Sequence, residues 1–294
     1  MKGKMKSSHI AIFDYGSQYT RLIARRVREM RVYSEVVPFT TRAADLRGNM
    51  PDGIILSGGP DSVFAEGAPA IDPAIFELGV PVLGICYGMQ LAARTLGGEV
   101  VAGEKREYGK AELKIERPNA LFEGVPEVSA VWMSHGDRVS RLPEGFTAVA
   151  SSANCPYAAV CDEKRRLYAL QFHPEVVHTR FGGKIIGNFV FGVCDCKPDW
   201  DMGAWIDGTV ASLKEKIGDG HVVLGLSGGV DSSVAAVLIH RAIGPRLHCI
   251  FVDNGLLRKG EADEVEATFK GKYDLDLAVA RAAERFYRAL AGIE

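Results

Sequence analysis

Residues 79–98, GVPVLGICYGMQLAARTLGG, have the pattern of a short strand that turns directly into a helix. An apolar run at 80–85 has strand length, and residues 89–96 carry apolar side chains at helical spacing before a Gly-Gly stop. The turn between them, GICYG at 84–88, has a glycine two positions before and two positions after Cys86. This pattern predicts a sharp corner that lifts the cysteine clear of a sheet, at the N-terminus of the helix.

Cys86 is therefore a candidate nucleophile. The dipole and the free N–H groups of a helix N-terminus favour the thiolate, which is the form of cysteine that attacks carbon. The alternative is a small buried hydrophobic residue, which is the usual fate of a free cysteine. We favour the nucleophile because the alternative gives the two flanking glycines no purpose.

The composition limits the classes of protein to which the chain can belong. Its 294 residues are 47% hydrophobic and 24% charged, which is typical of α/β proteins with about two domains. The net charge of −2 and the lack of a long basic block argue against nucleic acid as a partner. A small-molecule substrate fits this composition better.

Other sequence features concern location and metal binding. No run approaches the roughly 18 apolar residues of a membrane helix, so we expect no membrane partner and a cytoplasmic location. The six cysteines lack the spacing of a disulfide framework. Cys194 and Cys196 are too close together for a zinc site, and no metal-binding residues are predicted.

The first part of the chain alternates strands with helical segments. After an N-terminal tail at 1–8, strands are predicted at 9–14, 33–37 and 53–56, before the one at 80–85. This alternation predicts an α/β fold with a doubly wound parallel sheet, whose ligands lie at the carboxyl ends of the strands. Both Cys86 and the SGGP loop at 57–60 follow such ends. The loop can present backbone N–H groups to an anion, although a Gly-Gly-Pro sequence is more often only a turn.

The pattern changes between residues 99 and 161. Short strand-like pieces separated by Pro, Gly and Asn predict an antiparallel addition to the edge of the sheet. They lie at 111–116, 128–133, 146–152 and 157–161. Within this region WMSHGD, at 132–137, has the pattern of a polar loop directly after a strand. Spacing alone assigns no chemistry to His135, since loop polar groups usually satisfy the backbone.

A further strand, predicted at 166–172, ends in His173-Pro174-Glu175. A cysteine nucleophile needs a proton shuttle and a group that holds the imidazole in one tautomer, and a histidine with a carboxylate two residues on can supply both. A lone histidine would favour a structural role. Together with Cys86 on its corner and the two glycine turns, the pattern predicts that Cys86, His173 and Glu175 are catalytic.

The motifs SGGP, GICYG and QFHPE, taken together and in this order along the chain, resemble the class I glutamine amidotransferases over about residues 9–196. The resemblance implies a thiol glutaminase in which Cys86 is the nucleophile, His173 the base and acid, and Glu175 the group that orients His173. It also implies an oxyanion hole made by the main-chain N–H groups of Gly59 and Tyr87. The positions that match glutamine-binding residues are Gln90, Ser134, His135, Gly136 and Asp137.

A second domain is predicted at 197–294, after a polar, proline-interrupted linker around 194–202. Its apolar strand, at 221–226, is followed by SGGVDSS at 227–233, which opens a helix. A glycine-rich loop with hydroxyls at a helix start can bind phosphate, although no Gly-Lys-Ser/Thr follows as in a Walker motif. The alternative is an ordinary capped helix after a glycine turn.

SGGVDSS resembles the pyrophosphate loop of the ATP pyrophosphatase family. The resemblance implies a second doubly wound parallel-sheet domain, incomplete in this chain, which binds ATP with Mg²⁺ on the triphosphate. Val252 follows on the next strand, where its backbone would read the adenine. The residues implied in ATP binding are Ser227, Gly228, Gly229, Val230, Asp231, Ser232, Ser233 and Val252.

The order of the two domains resembles the amidotransferases that adenylate the C2 oxygen of xanthylate (XMP) and replace it with ammonia from glutamine, which yields GMP, AMP and pyrophosphate. Members of that group continue for a couple of hundred residues beyond this point, with an XMP site and a domain that forms homodimers. The expectation is therefore a complete glutaminase half and an incomplete synthetase half. Two alternatives remain: a glutaminase subunit of another synthetase, and a non-catalytic binding protein.

Overall fold

The structure is a computed structural model that describes residues 7–60 and 62–293, without the side chains of residues 104–106. Residues 1–6 of the predicted N-terminal tail lie outside the described part of the chain. The chain divides into two compact units, of which the first ends at Trp200 and the second begins at Asp201. This division falls a few residues after the end predicted for the first domain.

The first unit is built on one nine-stranded mixed sheet. Its strands, in chain order, are β1 (His9–Asp14), β2 (Tyr33–Pro38), β3 (Gly53–Leu56), β4 (Val82–Ile85), β5 (Glu99–Ile115), β6 (Val128–Arg141), β7 (Thr147–Ser151), β8 (Ala159–Asp162) and β9 (Leu167–Leu170). Across the sheet they follow the order β2-β1-β3-β4-β9-β8-β7-β5-β6. Strands β1 to β4 and β9 are parallel, and β8, β7, β5 and β6 continue the sheet in antiparallel pairs.

Helices cover the parallel half of this sheet. They are α1 (Thr20–Glu29), α2 (Ala43–Leu46), α3 (Tyr87–Thr95) and α4 (Gly182–Gly187), with 3₁₀-helices at Arg47–Asn49, Pro73–Glu77 and Ala120–Phe122 and a π-helix at Asn188–Val193.

Both faces of the parallel half are packed. Ile12 of β1 belongs to the apolar cluster that contains Ile23 and Val27 of α1. The next residue, Phe13, points to the opposite face and joins the cluster that contains Met89 of α3. A parallel sheet with a helical layer on each face is the doubly wound arrangement, so the predicted fold class is confirmed.

The strand order fixes where a ligand can enter. Because β2 and β3 lie on opposite sides of β1, the direction in which the chain builds the sheet reverses at β1 and β3. Crevices form at the carboxyl ends of strands at such a switch point. The SGGP loop follows β3, and the corner at Cys86 follows the neighbouring strand β4.

The antiparallel half is more continuous than predicted. The pieces expected at 111–116 and 128–133 are parts of two long strands, β5 and β6, that pair with each other along most of their length. The prediction of a loop at 132–137 was wrong, because these residues lie inside β6 and all except Gly136, which lies at a register shift, have a partner residue in β5. Their polar side chains and glycine suggested a loop, but the backbone hydrogen bonds of the hairpin hold them in the sheet.

The second unit contains a three-stranded parallel sheet in chain order, with strands β10 (Val222–Leu226), β11 (Leu247–Asp253) and β12 (Asp276–Arg281). Its helices are α5 (Met202–Ile217), α6 (Val230–Ile243), α7 (Glu261–Gly271) and α8 (Ala283–Leu290), with a 3₁₀-helix at Gly244–Arg246. Phe251 of β11 packs in an apolar cluster with Ala236 of α6 and Phe269 of α7. Its neighbours Ile250 and Val252 are exposed on the other face.

Among the helices in the described residues, none is both long enough and apolar enough to cross a membrane.

Candidate active site

Cys86 occupies the corner between β4 and α3. Its backbone has φ 51° and ψ −104°, a positive φ that is uncommon for a residue other than glycine. The neighbouring strand supports the corner, since the N–H of Cys86 donates to the carbonyl of Leu170 at 2.7 Å. The strained residue is therefore the cysteine itself, and the surrounding sheet holds it in place.

The two glycines of the corner provide space. A Cβ atom added at Gly84 would lie 2.8 Å from the carbonyl oxygen of Gly88. A Cβ atom added at Gly88 would overlap the carbonyl group of Leu56. Neither glycine has a positive φ, so the reason for glycine here is the close approach of three backbone segments.

The SGGP loop passes next to this corner. A Cβ atom at Gly58 would lie 3.1 Å from Cε1 of His173 and 3.8 Å from Cβ of Cys86. The following glycine, Gly59, is packed against the Tyr87 ring, which a Cβ atom would approach to 3.2 Å. Gly59 and Tyr87 both line the same cavity as Cys86. The loop therefore brings the backbone of Gly59 to the cysteine, as an oxyanion hole made by these two residues requires.

His173 and Glu175 form a buried pair beyond the end of β9. Nδ1 of His173 lies 2.7 Å from Oε1 of Glu175, and the two residues are 4% and 0% exposed. The backbone N–H of His173 donates to the carbonyl of Trp132 at 3.0 Å. The rings of Tyr19 and His173 pack against each other in a T-shaped arrangement. These contacts hold the imidazole in one orientation, with Nδ1 toward the carboxylate.

The charge state of His173 follows from its neighbours. Burial alone would lower the pKa of His173, but hydrogen bonds with Cys86 and Glu175 outweigh burial and raise this pKa to about 10. The imidazole is therefore protonated at neutral pH. A cationic imidazole beside a thiol favours the thiolate, so the cysteine and the histidine are arranged as a nucleophile and its proton carrier.

A cavity of about 510 Å³ opens beside Cys86. Gln90 and Asp137 line it, and the amide Nε2 of Gln90 donates to the carbonyl oxygen of Asp137 at 2.8 Å. The hydroxyl of Ser62 donates to Oδ2 of Asp137 at 2.5 Å. Both contacts hold Asp137 at the wall of the cavity. The cavity is polar and holds a fixed carboxylate, which suits a small zwitterionic ligand.

His135 also lines the cavity, but its ring is held by the protein. Nδ1 donates to the carbonyl oxygen of Asp137 at 3.0 Å, and Nε2 lies 3.2 Å from Oε2 of Glu107. Glu107 comes from the paired strand β5 and also accepts a hydrogen bond from Ser152. These contacts indicate that the imidazole stabilises the hairpin beside the cavity.

The structure thus brings most of the predicted site residues of the first unit around one cavity. They are Gly59, Cys86, Tyr87, Gln90, Ser134, His135, Gly136 and Asp137, with His173 and Glu175 next to Cys86. Sequence reasoning gave no role to Tyr19, Ser62, Glu107 and Gln171, which the structure places in contact with these residues. The quoted motif QFHPE contains Gln171, and DYGSQYT, at 14–20, contains Tyr19. Ser62 and Glu107 have no comparable signal.

The second candidate site lies at the carboxyl ends of β10 and β11. Gly228 has φ 78°, which only glycine adopts without strain, and the loop leads directly into α6. Its hydroxyls are bonded within the loop: Oγ of Ser232 lies 2.9 Å from Oγ of Ser227, and Ser233 donates to the carbonyl of Gly229 at 2.7 Å. Val252 lies on the adjacent strand, so the sheet brings it close to this loop.

Comparison with known proteins gives the family of the chain. The family model for class-I glutamine amidotransferases matches residues 11–193, and the model for NAD synthase matches residues 204–262. The chain belongs to the class-I glutamine amidotransferase family, and the predicted family is thereby confirmed.

Relatives with more specific names are similar over nearly the whole chain. The GMP synthase (glutamine-hydrolyzing) of Clostridium novyi (strain NT) is 52% identical over 284 residues, which are 97% of this chain and 56% of the relative. The protein of the same name from Aquifex aeolicus (strain VF5) is 51% identical over 290 residues, which are 99% of this chain and 57% of the relative. The chain thus spans somewhat more than half the length of these curated relatives.

A solved structure is similar to part of the chain. The crystal structure of a candidate GMP synthase subunit from Thermoplasma acidophilum is 35% identical, with a TM-score of 0.60. The similarity covers 65% of this chain and 96% of that protein.

Proposed function

We propose that this chain carries the glutamine-hydrolysing part of a GMP synthase and the beginning of its ATP-dependent part. The glutamine-hydrolysing part of the proposal rests on the joint placement of Cys86 on its corner, the His173–Glu175 pair next to it, and a polar cavity that Cys86 lines. The names of relatives that are 52% and 51% identical to the chain support the assignment to a GMP synthase.

The glutaminase reaction begins with attack by the thiolate of Cys86 on the side-chain amide carbon of glutamine. Electrons move to the carbonyl oxygen, which then faces the N–H groups of Gly59 and Tyr87. His173 passes a proton to the amide nitrogen, the C–N bond breaks, and ammonia leaves a γ-glutamyl thioester on the sulfur. Glu175 keeps the imidazole in the required tautomer through Nδ1.

Water completes the cycle. It adds to the thioester carbon and gives its proton to His173, and the C–S bond breaks with its electron pair on sulfur. Glutamate then leaves. Asp137, held by Ser62 and Gln90, offers a carboxylate to the α-ammonium group of glutamine. Residues 134–136 complete the wall of the cavity beside it.

For the second unit, we propose that residues 227–233 hold the phosphates of ATP with Mg²⁺ and that the Val252 backbone contacts the adenine. Support comes from the position of the loop between strand and helix, where N–H groups and the helix dipole favour an anion. ATP would adenylate XMP, and ammonia would then convert it to GMP. A ligase of purine biosynthesis in the cytoplasm, homodimeric and without nucleic-acid or membrane partners, is part of the same proposal. The glycine-hydroxyl loop favours it over a glutaminase subunit of another synthetase.

A trapping experiment tests the glutaminase half. The chain is incubated with glutamine, and glutamate and ammonia are measured with and without hydroxylamine. We expect glutamate and ammonia in equal amounts, and γ-glutamyl hydroxamate when hydroxylamine competes with water for the thioester. A folded chain that releases neither product would contradict the proposal.

A further inference from the structure

Gln171 has a buried side-chain amide that contacts the proposed nucleophile, Cys86. It follows β9, its backbone N–H donates to the carbonyl of Ala158 at 2.9 Å, and the residue is fully buried. Its Nε2 lies 3.7 Å from Sγ of Cys86, within the range of a hydrogen bond to sulfur. The residue is therefore in contact with the atom that the proposed reaction uses.

The direction of the Gln171 amide is fixed by a chain of contacts. The carbonyl of Asp137 can only accept, so the group of Gln90 that lies 2.8 Å from it is the NH₂. The same NH₂ lies 3.4 Å from Oε1 of Gln171. Turning the Gln171 amide around would place two NH₂ groups against each other and an oxygen against the sulfur of Cys86. The N–H of Gln171 therefore points at the sulfur.

A negative charge on the sulfur of Cys86 needs a hydrogen-bond donor on the side that Gln171 contacts. Cys86 is 5% exposed, so water contributes little to the solvation of a negative charge on its sulfur. On another side the sulfur faces an acceptor, the carbonyl oxygen of Ser134 at 3.5 Å, which suits the thiol and not the thiolate. Among the contacts of this sulfur, His173 and Gln171 are the donors that favour the charged form.

We propose that Gln171 is a second donor to the thiolate of Cys86 and that Gln90 and Gln171 connect the glutamine cavity to the nucleophile. The inference rests on the proposed function, in which Cys86 attacks glutamine. His173 changes its protonation state during each half of the reaction, whereas the amide of Gln171 does not. When the C–S bond of the thioester breaks, the electron pair returns to sulfur while the Gln171 N–H is in place to stabilise it.

Alkylation of the thiol tests this inference without glutamine. The full chain is treated with iodoacetamide between pH 5 and 9, and mass spectrometry of the Cys86 peptide gives the rate. Gln171→Met removes the amide at similar length, and Gln171→Glu keeps an oxygen toward Gln90 but turns another oxygen toward sulfur. In Gln171→Met we expect alkylation about tenfold slower below the midpoint of the profile and a midpoint about one pH unit higher. Gln171→Glu should shift the midpoint further in the same direction.

A buried amide outside the site provides the control. Asn188 is buried, and its side-chain amide donates to the carbonyls of Leu121 and Glu123. Asn188→Leu therefore removes a comparable buried amide. Its alkylation profile should match that of the wild type. A Gln171→Met profile that superimposes on that of the wild type, or an Asn188→Leu profile that shifts equally, overturns the inference. If one Gln171 variant does not fold, the other decides the question by the same comparison.

The outcomes also separate this inference from the proposed function. A wild-type chain that hydrolyses glutamine, with an unchanged Gln171→Met profile, retains the proposed function and overturns the role of Gln171. A wild-type chain that does not hydrolyse glutamine, with a shifted Gln171→Met profile, overturns the proposed function, and the contact between Gln171 and the sulfur stands.

Discussion

The two candidate sites differ in how far the chain has already removed them from water. In the first unit Cys86, His173 and Glu175 are almost completely buried. The backbone N–H groups of Cys86 and His173 donate to carbonyls of neighbouring strands, and Glu175 is held by its contact with His173. In the second unit Val230 and Val252 are 78% and 43% exposed. Preorganised dipoles in a dry site act strongly on a reacting group, whereas an exposed phosphate loop gains its burial from the ligand. The first site is therefore the one whose activity should depend most on single interior contacts.

The largest effect is expected for the nucleophile. Cys86→Ala should lower glutamate release by about 10³-fold or more without unfolding the chain, because the other groups of the site cannot form the thioester. The control is Cys155→Ala, since Cys155 is another buried cysteine of this unit whose pKa burial raises to about 12 and which therefore stays a neutral thiol. Activity assays and melting curves of both variants give the comparison. Full activity in a folded Cys86→Ala chain would disprove the assignment.

A somewhat smaller effect is expected for the SGGP loop. In Gly59→Ala the added Cβ atom would lie 2.9 Å from the carbonyl oxygen of Tyr15 and 3.2 Å from the Tyr87 ring, so both proposed oxyanion donors must move. We expect kcat to fall by about 10²- to 10³-fold, the usual cost of a lost oxyanion donor. Gly48→Ala is the matched control, because nothing lies within 4 Å of its added Cβ atom. Equal kcat values for the two variants would argue against an oxyanion hole at Gly59.

The orienting carboxylate should matter less than the nucleophile. In Glu175→Gln an amide oxygen can still accept the Nδ1–H of His173, but the charge that favours the imidazolium is lost. We expect kcat to fall by about 10²-fold with little change in KM, as measured by steady-state release of glutamate. A change in KM alone would instead place Glu175 in substrate binding.

The pH dependence of stability gives a weaker but independent test of the buried pair. The folded-state pKa of His173, about 10, lies above its ordinary value of 6.5. The folded chain then binds this proton more tightly than the unfolded chain, so the stabilisation is complete below about pH 6.5 and is lost as the pH rises toward 10. The difference in Tm between the wild type and His173→Gln should therefore shrink over this range. His178→Gln, at an exposed histidine, should give a constant difference.

The smallest effect on glutamine hydrolysis is expected in the second unit. The hydroxyl of Ser232 makes its hydrogen bonds within its own loop, to Ser227 and Gly229. Ser232→Ala should therefore change glutaminase kcat by less than about twofold, because none of these hydrogen-bond partners belongs to the first site as the structure describes it. Calorimetric titration with ATP and Mg²⁺ should show weaker binding by the variant. A large loss of glutaminase activity in this variant would remove the contrast between the two sites.

The residues of the first site that lie at strand ends could be predicted from the sequence. Cys86, His173 and Glu175 were predictable because each lies at or just after a strand end, and the carboxyl ends of neighbouring parallel strands meet at one edge of a sheet. The family resemblance added Gly59, Tyr87 and Gln90, which line the same cavity.

The remaining features depend on pairing that local patterns do not encode. Residues 132–137 were predicted as a loop because they are polar, yet their register with β5 makes them part of a strand. The same register brings Glu107 to His135, across 28 positions of sequence. Gln171 belongs to a quoted motif, but its role depends on the direction of a buried amide, which is set by the carbonyl of Asp137 through Gln90.

The positive φ of Cys86 imposes a cost in folding free energy at the residue that carries the proposed chemistry. Backbone conformations of this kind cost about 1 to 3 kcal/mol in a residue with a side chain, and glycine largely avoids the cost. A design procedure that optimised this backbone conformation alone would therefore place glycine at position 86, and the resulting chain would lack the thiol that the proposed reaction requires. If Cys86 forms the proposed thioester, selection for catalysis keeps here a residue that the backbone conformation alone disfavours.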